Sequence, residues 1–298
     1  MTIFRHIFVA GATGLLGDNI VEALLNDGKF GVTVLLRPQS ITEHVPRAES
    51  WEARGVKIVI SELSNQERLV KSMQGVDVVI DAISQSATKE HLKLLQVAIT
   101  AGVKRFIPAD LGATEEQEKN WAENHEIKIM REAVMNSGLE YTFLYSGAIM
   151  EGVLGPLTGI DITNGRAWLV GDGNARVALT RGRDIGKYFI SSLRSPLSKN
   201  AKLYVAGDIK TLNEVIKIFE EVSGKKFDTQ YRDIDDVEAQ IAASPYLWTN
   251  VPDQISVRIA KEEIFFGDAH PLNNKDFPAV QPSKVIDFAK EVFAQISK

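Results

Sequence analysis

The apolar and polar positions of the first half of the chain follow two alternating rhythms. Short, mostly apolar runs at Ile7–Ala10, Val32–Leu36, Val56–Ile60, Val76–Ile80, Arg105–Ile107 and Tyr141–Leu144 read as buried strands. Between them, apolar residues recur at helical spacing over Leu15–Asn26, Gln66–Met73, Lys89–Ala101 and Glu118–Asn136, with a weaker signal at Glu49–Arg54. Strand and helix alternating at this spacing predict an α/β fold. It is a Rossmann-type, doubly wound parallel sheet with right-handed crossovers, covered on both faces.

After about residue 150 the rhythm changes. Gly152, Gly155, Pro156 and Gly159 mark irregular backbone. Trp168–Val170 and Val177–Leu179 flank Gly171-Asp172-Gly173-Asn174, which predicts a β-hairpin. Helices are expected at Asp184–Leu193, Leu212–Val222, Asp233–Ala243 and Lys284–Ile296, and strands at Lys202–Ala206 and Phe227–Tyr231. With no Pro/Ser-rich linker, residues 151–298 read as a smaller α+β cap intertwined with the domain formed by residues 1–150.

Composition narrows the function. The 298 residues include no cysteine, which excludes disulfide scaffolds, thiolate zinc sites and cysteine nucleophiles. A balance of 34 Lys+Arg against 39 Asp+Glu argues against nucleic-acid or anionic-membrane binding through bulk charge. The apolar start of the chain is broken by Arg5 and runs into a glycine loop, unlike a signal peptide, so a cytoplasmic protein is the expectation. A homodimer is compatible with the sequence. The histidines His6, His44, His91 and His270 are scattered without metal-ligand spacing, and no metal is expected.

The strongest motif is Gly11-Ala12-Thr13-Gly14-Leu15-Leu16-Gly17, set between the first strand and the first helix. Glycine permits a tight turn and close approach to a diphosphate, and the following helix offers free N–H groups and its positive dipole end. After strand two, where an acid would bind the ribose hydroxyls of NAD, the chain has Arg37-Pro38. A guanidinium suits a phosphate, which favours NADP(H); the alternative is a solvent-facing loop arginine. His44 and Arg47 are possible assistants in the loop that follows. Further cofactor contacts are expected at the carboxyl ends of later strands: Glu62-Leu63, Ala82-Ile83-Ser84 and Pro108-Ala109-Asp110.

The glycine motif is joined by Leu35-Leu36-Arg37-Pro38, Val76-Asp77-Val78-Val79-Ile80, Ala101-Gly102-Val103-Lys104-Arg105-Phe106-Ile107-Pro108 and Leu139-Glu140-Tyr141-Thr142-Phe143. Asp172-Gly173-Asn174, Asp184-Ile185-Gly186, Leu212-Asn213-Glu214 and Phe277-Pro278-Ala279-Val280 complete the set. Together these segments resemble the NmrA-like and isoflavone-reductase-like branch of the atypical short-chain dehydrogenases, over essentially the whole chain. The resemblance implies a Rossmann domain with a small substrate-binding cap, NADPH, and hydride transfer to phenolic or aryl-ether metabolites. It also implies one general acid/base lysine near the start of the helix before strand six.

The catalytic position departs from that pattern. No tyrosine has a lysine four positions on: Tyr141 leads to Tyr145, and Tyr188 to Ser192. Ungapped alignment from Tyr141 puts Ile127 at the lysine position, one residue before Lys128. Two readings of Lys128 stand: the displaced general acid, or a solvated residue paired with Glu132 one helical turn on. His125 is the second candidate proton donor, or a polar residue at the helix start. Asp110, Tyr145, Ser146 and Met150 are candidates for the substrate pocket, Met150 equally for core packing. Two functions follow. The first is an NADPH-dependent reductase of a small aromatic metabolite. The second is a non-catalytic NADP(H) sensor that controls a protein partner.

Overall fold

The computed structural model describes residues 3–84, 87–108, 124–243 and 250–296. These residues divide into two compact units, and the chain crosses between them at 144–145, 184–185 and 203–204. The first unit holds the residues up to Pro108, Asn124–Leu144 and Ile185–Leu203; the second holds Tyr145–Asp184 and the residues from Tyr204 onward.

The first unit opens with β1 (His6–Ala10), α1 (Leu15–Asp27) and β2 (Gly31–Leu36). Two helices, α2 (Pro38–Glu43) and α3 (Val45–Ala53), lead to β3 (Lys57–Ile60), where the apolar pattern carried only the weak signal at Glu49–Arg54. Then come α4 (Gln66–Ser72), β4 (Val78–Asp81), α5 (Thr88–Thr100), β5 (Arg105–Pro108), α6 (Asn124–Met135) and β6 (Glu140–Tyr145). The part of the expected Glu118–Asn136 helix before Asn124 lies outside the described residues.

β1 pairs in parallel with β2 and β4, with Ile7 opposite both Val32 and Val78. β2–β3, β4–β5 and β5–β6 are also parallel. Ile7, Phe8, Val9, Val78, Val79 and Ile80 are completely buried, as a sheet covered on both faces requires. The strand order is β6-β5-β4-β1-β2-β3, so direction along the sheet reverses between β1 and β4. Ligands of such sheets bind outside the carboxyl ends of the strands at that reversal.

The segments that continue the chain are β7 (Ala148–Ile149), α7 (Met150–Val153), β8 (Ile160–Asp161), β9 (Arg166–Val170), β10 (Arg176–Thr180) and α8 (Gly182–Arg194). They are followed by β11 (Ala201–Tyr204), which joins the large sheet beside β6 as its seventh strand. The remainder is β12 (Asp208–Thr211), α9 (Leu212–Ser223), β13 (Asp228–Arg232), α10 (Ile234–Ala242), α11 (Val251–Ala260) and α12 (Val285–Ile296).

The second unit corrects the predicted hairpin. β9 and β10 do not pair with each other: β9 lies between β8 and β13, and β10 between β7 and β12. The turn joining them is held from elsewhere. Asn213, near the start of α9, donates its backbone N–H to Gly173 O at 3.1 Å and its amide to Asp172 O at 3.0 Å. These bonds to α9 replace the cross-strand ladder that a hairpin would need. The core of this unit gathers Met150, Leu169, Leu179, Val215, Phe219 and Phe288. α11 carried no sequence expectation; its Pro252 stands in the first helical turn, where proline is tolerated. Among the described residues no helix is long and apolar enough to cross a membrane.

Candidate functional site

The glycine turn is shaped by two close approaches. Gly11 follows β1 with φ +73°, and a Cβ there would lie 2.3 Å from the Ala82 carbonyl at the end of β4. A Cβ on Gly17 would lie 2.1 Å from the Gly11 carbonyl. Both positions therefore demand glycine, which brings α1 tightly onto the turn. Gly14 N-caps α1 and bonds Gly11 O at 3.1 Å, but no side chain caps the helix. The first-turn N–H groups and the positive end of the dipole are left for an anion.

This turn forms one wall of a cleft of about 590 Å³. It brings together Gly11, Thr13 and Gly14, Leu36 and Arg37 after β2, Glu62 and Leu63 after β3, and Ala82, Ile83 and Ser84 after β4. The volume lies within the range of small-molecule sites. Arg37 N-caps α2 and makes no ion pair with another described residue. Arg47 is directed elsewhere: its guanidinium lies 2.5 Å from Asp18 and 3.1 Å from Glu22 on α1. His44 sits at the junction of α2 and α3. The glycine cradle, the uncapped helix and a cation at the end of β2 fit a dinucleotide with an additional phosphate.

Of the residues expected at the cofactor, Leu15, Leu16, Gly17 and Pro108 are not in the wall of this cleft, and Ala109 lies outside the described residues. Leu15 is half-exposed on α1, Leu16 is half-buried, and Gly17 acts through its contact with Gly11. Pro108 is buried at the end of β5, in register with Asp81. Ser40, Ser64, Glu90 and Lys93 line the cleft without having been expected. For Glu90 and Lys93 a signal existed. Ala87, Glu90 and Lys93 are spaced by three, which puts them on one face of α5 at the end that follows the β4 loop.

Because β5 and β6 run parallel, the helix joining them begins at their carboxyl ends. A bond from Thr88 Oγ1 to Glu126 Oε2, 3.0 Å long, fastens the first turn of α6 to the first turn of α5. His125 is exposed in that first turn. Lys128 is 67% exposed, with Nζ 3.9 Å from Glu132 Oε1. Ile127, Met130 and Val134 form the buried stripe, joined by the nearly enclosed Arg131.

Of the residues expected at the substrate, Asp110 lies outside the described residues. Tyr145 is buried and stacks on Tyr204, with ring centroids 5.0 Å apart. Tyr204 in turn stacks on His270 at 4.4 Å. Ser146 is buried; its carbonyl accepts from Thr180 Oγ1 at 2.7 Å, and its own hydroxyl has no partner among the described residues. Met150 is fully buried in the apolar core of the second unit, beside Val153 and Leu154.

The same site-bearing sequence matches known proteins over most of its length. Eugenol synthase 1 from Petunia hybrida is 30% identical over 278 residues, covering 88% of this chain and 87% of that protein. Phenylcoumaran benzylic ether reductase PT1 from Pinus taeda is 28% identical, covering 88% of each chain. Among solved structures, the binary complex of leucoanthocyanidin reductase with NADPH from Vitis vinifera superposes with a TM-score of 0.83 at 19% identity, over 97% of this chain and 99% of that one. The model of the NmrA-like family matches residues 5–293, and the chain belongs to that family.

Proposed function

We infer that this chain is an NADPH-dependent reductase of a small phenolic or related aromatic metabolite. The observation that carries the reading is the cleft on which the glycine turn, the uncapped N-terminus of α1 and Arg37 all open. The relatives support the substrate class, since they include a eugenol synthase and a benzylic ether reductase. The leucoanthocyanidin reductase complex supports the choice of NADPH.

When bound, NADPH supplies the hydride. The protein supplies placement and protons. Backbone N–H groups from Gly11 to Gly17 would hold the diphosphate, and Arg37 would hold the ribose phosphate. Leu63 and Ile83 give the cleft apolar walls beside polar Ser84 and Glu62. Hydride addition leaves an electron pair on the substrate that needs a proton. His125 and Lys128, on the first two turns of α6, are the groups proposed to hold and pass it. Tyr145, Ser146 and Asp110 are proposed to contact the substrate. A cytoplasmic location and a homodimer belong to the same reading; cell fractionation and light scattering test them.

The test is to mix the purified chain with NADPH and a panel of phenylpropenyl esters, benzylic ethers and isoflavones, and to follow cofactor absorbance. Turnover with at least one phenolic class is expected. Tight NADPH binding without turnover of any member would overturn the reductase reading. That outcome would favour the cofactor sensor, for which the exposed, Glu132-paired Lys128 is the supporting observation.

A further inference from the structure

In the second unit, β13 leaves one side of a sheet open. It is an outer strand of the sheet β13-β9-β8 and runs parallel to β9, with Asp228 opposite Arg166 and Arg232 opposite Val170. On the β9 side, the Asp228 N–H donates to Gly165 O and the Gly171 N–H donates to Arg232 O, each at 2.9 Å. Backbone groups of successive residues alternate sides along a strand, so Gln230 also faces β9. The N–H and C=O of Thr229 and Tyr231 then face away from it. Among the described residues no strand pairs with that outer side.

Sheet edges are ordinarily blunted by short strands, by lysine or by proline. The edge strands β7 and β8 have two residues each. The edge strands β3, β11 and β12 carry Lys57, Lys202 and Lys210. β13, Asp228-Thr229-Gln230-Tyr231-Arg232, has five residues and neither lysine nor proline. Tyr231 is 53% exposed on it, and Trp168, opposite Gln230 on β9, is 40% exposed.

This edge is complementary to its own reverse. A two-fold axis at Gln230 sets Thr229 of one copy against Tyr231 of another, and Tyr231 against Thr229. Those are the residues whose backbone groups face outward, so each pair can exchange both of its N–H···O=C bonds. Thr–Tyr is also a β-branched–aromatic pair, a favourable cross-strand neighbour. The same register sets Asp228 against Arg232 at both ends, in the non-hydrogen-bonded positions where side chains approach most closely. Both charges have capacity for it. Asp228 is exposed and forms no ion pair with a described residue. Arg232 holds Asp253 at 2.6 Å and Gln240 at 3.1 Å through its terminal nitrogens, which leaves its Nε–H.

We propose that β13 is the docking edge for a second copy of this chain. The two strands join antiparallel about Gln230 and merge two small sheets into one continuous sheet. The proposal rests on the reading of the chain as a homodimer and names the surface that forms it. It does not depend on the cofactor.

The experiment is sedimentation velocity of the full-length chain over a concentration series, with two variants. Thr229→Pro removes an outward N–H and none of the bonds to β9, so the strand can keep its place in the sheet. Asp228→Arg sets like charges against each other across the joint. Each is expected to raise the dimer dissociation constant by roughly tenfold or more, with circular dichroism unchanged. Gln230→Cys then reads the register. The chain has no cysteine of its own. A residue on the axis faces itself at about 4.5 Å between Cα atoms, within reach of a disulfide. Treatment with diamide is expected to yield a covalent dimer of Gln230→Cys. Asp228→Cys, whose copies lie at opposite ends of the joint, should cross-link far more slowly. A dimer unaffected by Thr229→Pro and Asp228→Arg, or a Gln230→Cys variant that links no faster than Asp228→Cys, would overturn this interface and leave the homodimer standing. A wild type that stays monomeric at every concentration would overturn the homodimer reading and the interface together.

Discussion

Lys104 Nζ lies 2.6 Å from Asp77 Oδ1, joining the segment that leads into β5 to the segment that leads into β4. The other oxygen of Asp77 accepts from the backbone N–H groups of Arg5 and His6, at 2.6 and 3.0 Å. Next along, Arg105 bonds Glu140 at the start of β6 at 2.7 Å, and Lys199 bonds the same carboxylate at 2.8 Å. Asp77, Lys104, Arg105 and Glu140 belong to the Val76–Ile80, Ala101–Pro108 and Leu139–Phe143 segments that carried the family resemblance. Their charges lock the amino ends of adjacent strands, at the edge of the sheet opposite the cleft.

This lock has a pH signature. Burial pushes the Asp77 carboxyl up, but Lys104 and the N–H groups of Arg5 and His6 outweigh it and hold the carboxyl below its usual range. A carboxyl with a lowered folded-state value stabilises fully above the unfolded value and loses that contribution as pH falls through the folded one. Asp77→Asn is expected to cost about 1–3 kcal/mol at neutral pH. The deficit should close as the medium is made strongly acidic. Thermal melts of both proteins across that span check it; an equal deficit at both ends would contradict the assignment.

Gly17 tests the cradle. A methyl group in place of its hydrogen meets the Gly11 carbonyl, so the turn must open or α1 must shift. Gly17→Ala should lose about 1–3 kcal/mol of stability from overpacking. It should also lose at least tenfold in NADPH affinity while circular dichroism keeps the helical signal. Gly75→Ala is a matched control: it has a positive φ, +78°, with nothing within 4 Å of an added Cβ. It is expected to leave nucleotide binding unchanged.

The proton donor is separated by kinetics. Lys128→Met and His125→Asn change side chains on the solvent side of α6, so each should shift stability by less than about 0.5 kcal/mol. The variant that removes the donor is expected to lose roughly 100-fold or more in kcat, with NADPH affinity retained. Steady-state rates with a turned-over phenolic substrate, compared with cofactor titrations, make the distinction. Full activity in both variants would take both residues out of the reaction.

Much of the first unit was legible because its signals are local. An apolar strand, a glycine turn and an amphipathic helix in succession leave little choice of topology, and Gly11, Thr13, Gly14, Arg37, Ala82, Ile83 and Ser84 do meet in one cleft. What sequence could not reach were pairings between distant segments. Asn213 lies 39 residues beyond Asn174, to which its amide donates, and the two strands of the apparent hairpin become the middle strands of two separate sheets. Arg47 read as a possible assistant to Arg37, but Asp18 and Glu22, on the helix before β2, stand beside it and neutralise it. His91 read as one of several scattered histidines because its partner, Asp81, lies on the preceding strand rather than at helical spacing.

The cofactor assignment is decided by a titration of the full-length chain with NADPH and with NADH, repeated on Arg37→Ala. Saturable binding of NADPH at one site is expected, with a preference for NADPH over NADH. In Arg37→Ala that preference should shrink by roughly 10- to 100-fold, with NADH affinity little changed, the range of charge-assisted bonds to one phosphate. Absence of saturable binding of either nucleotide at millimolar concentration, or an Arg37 variant that keeps the full preference, would contradict it.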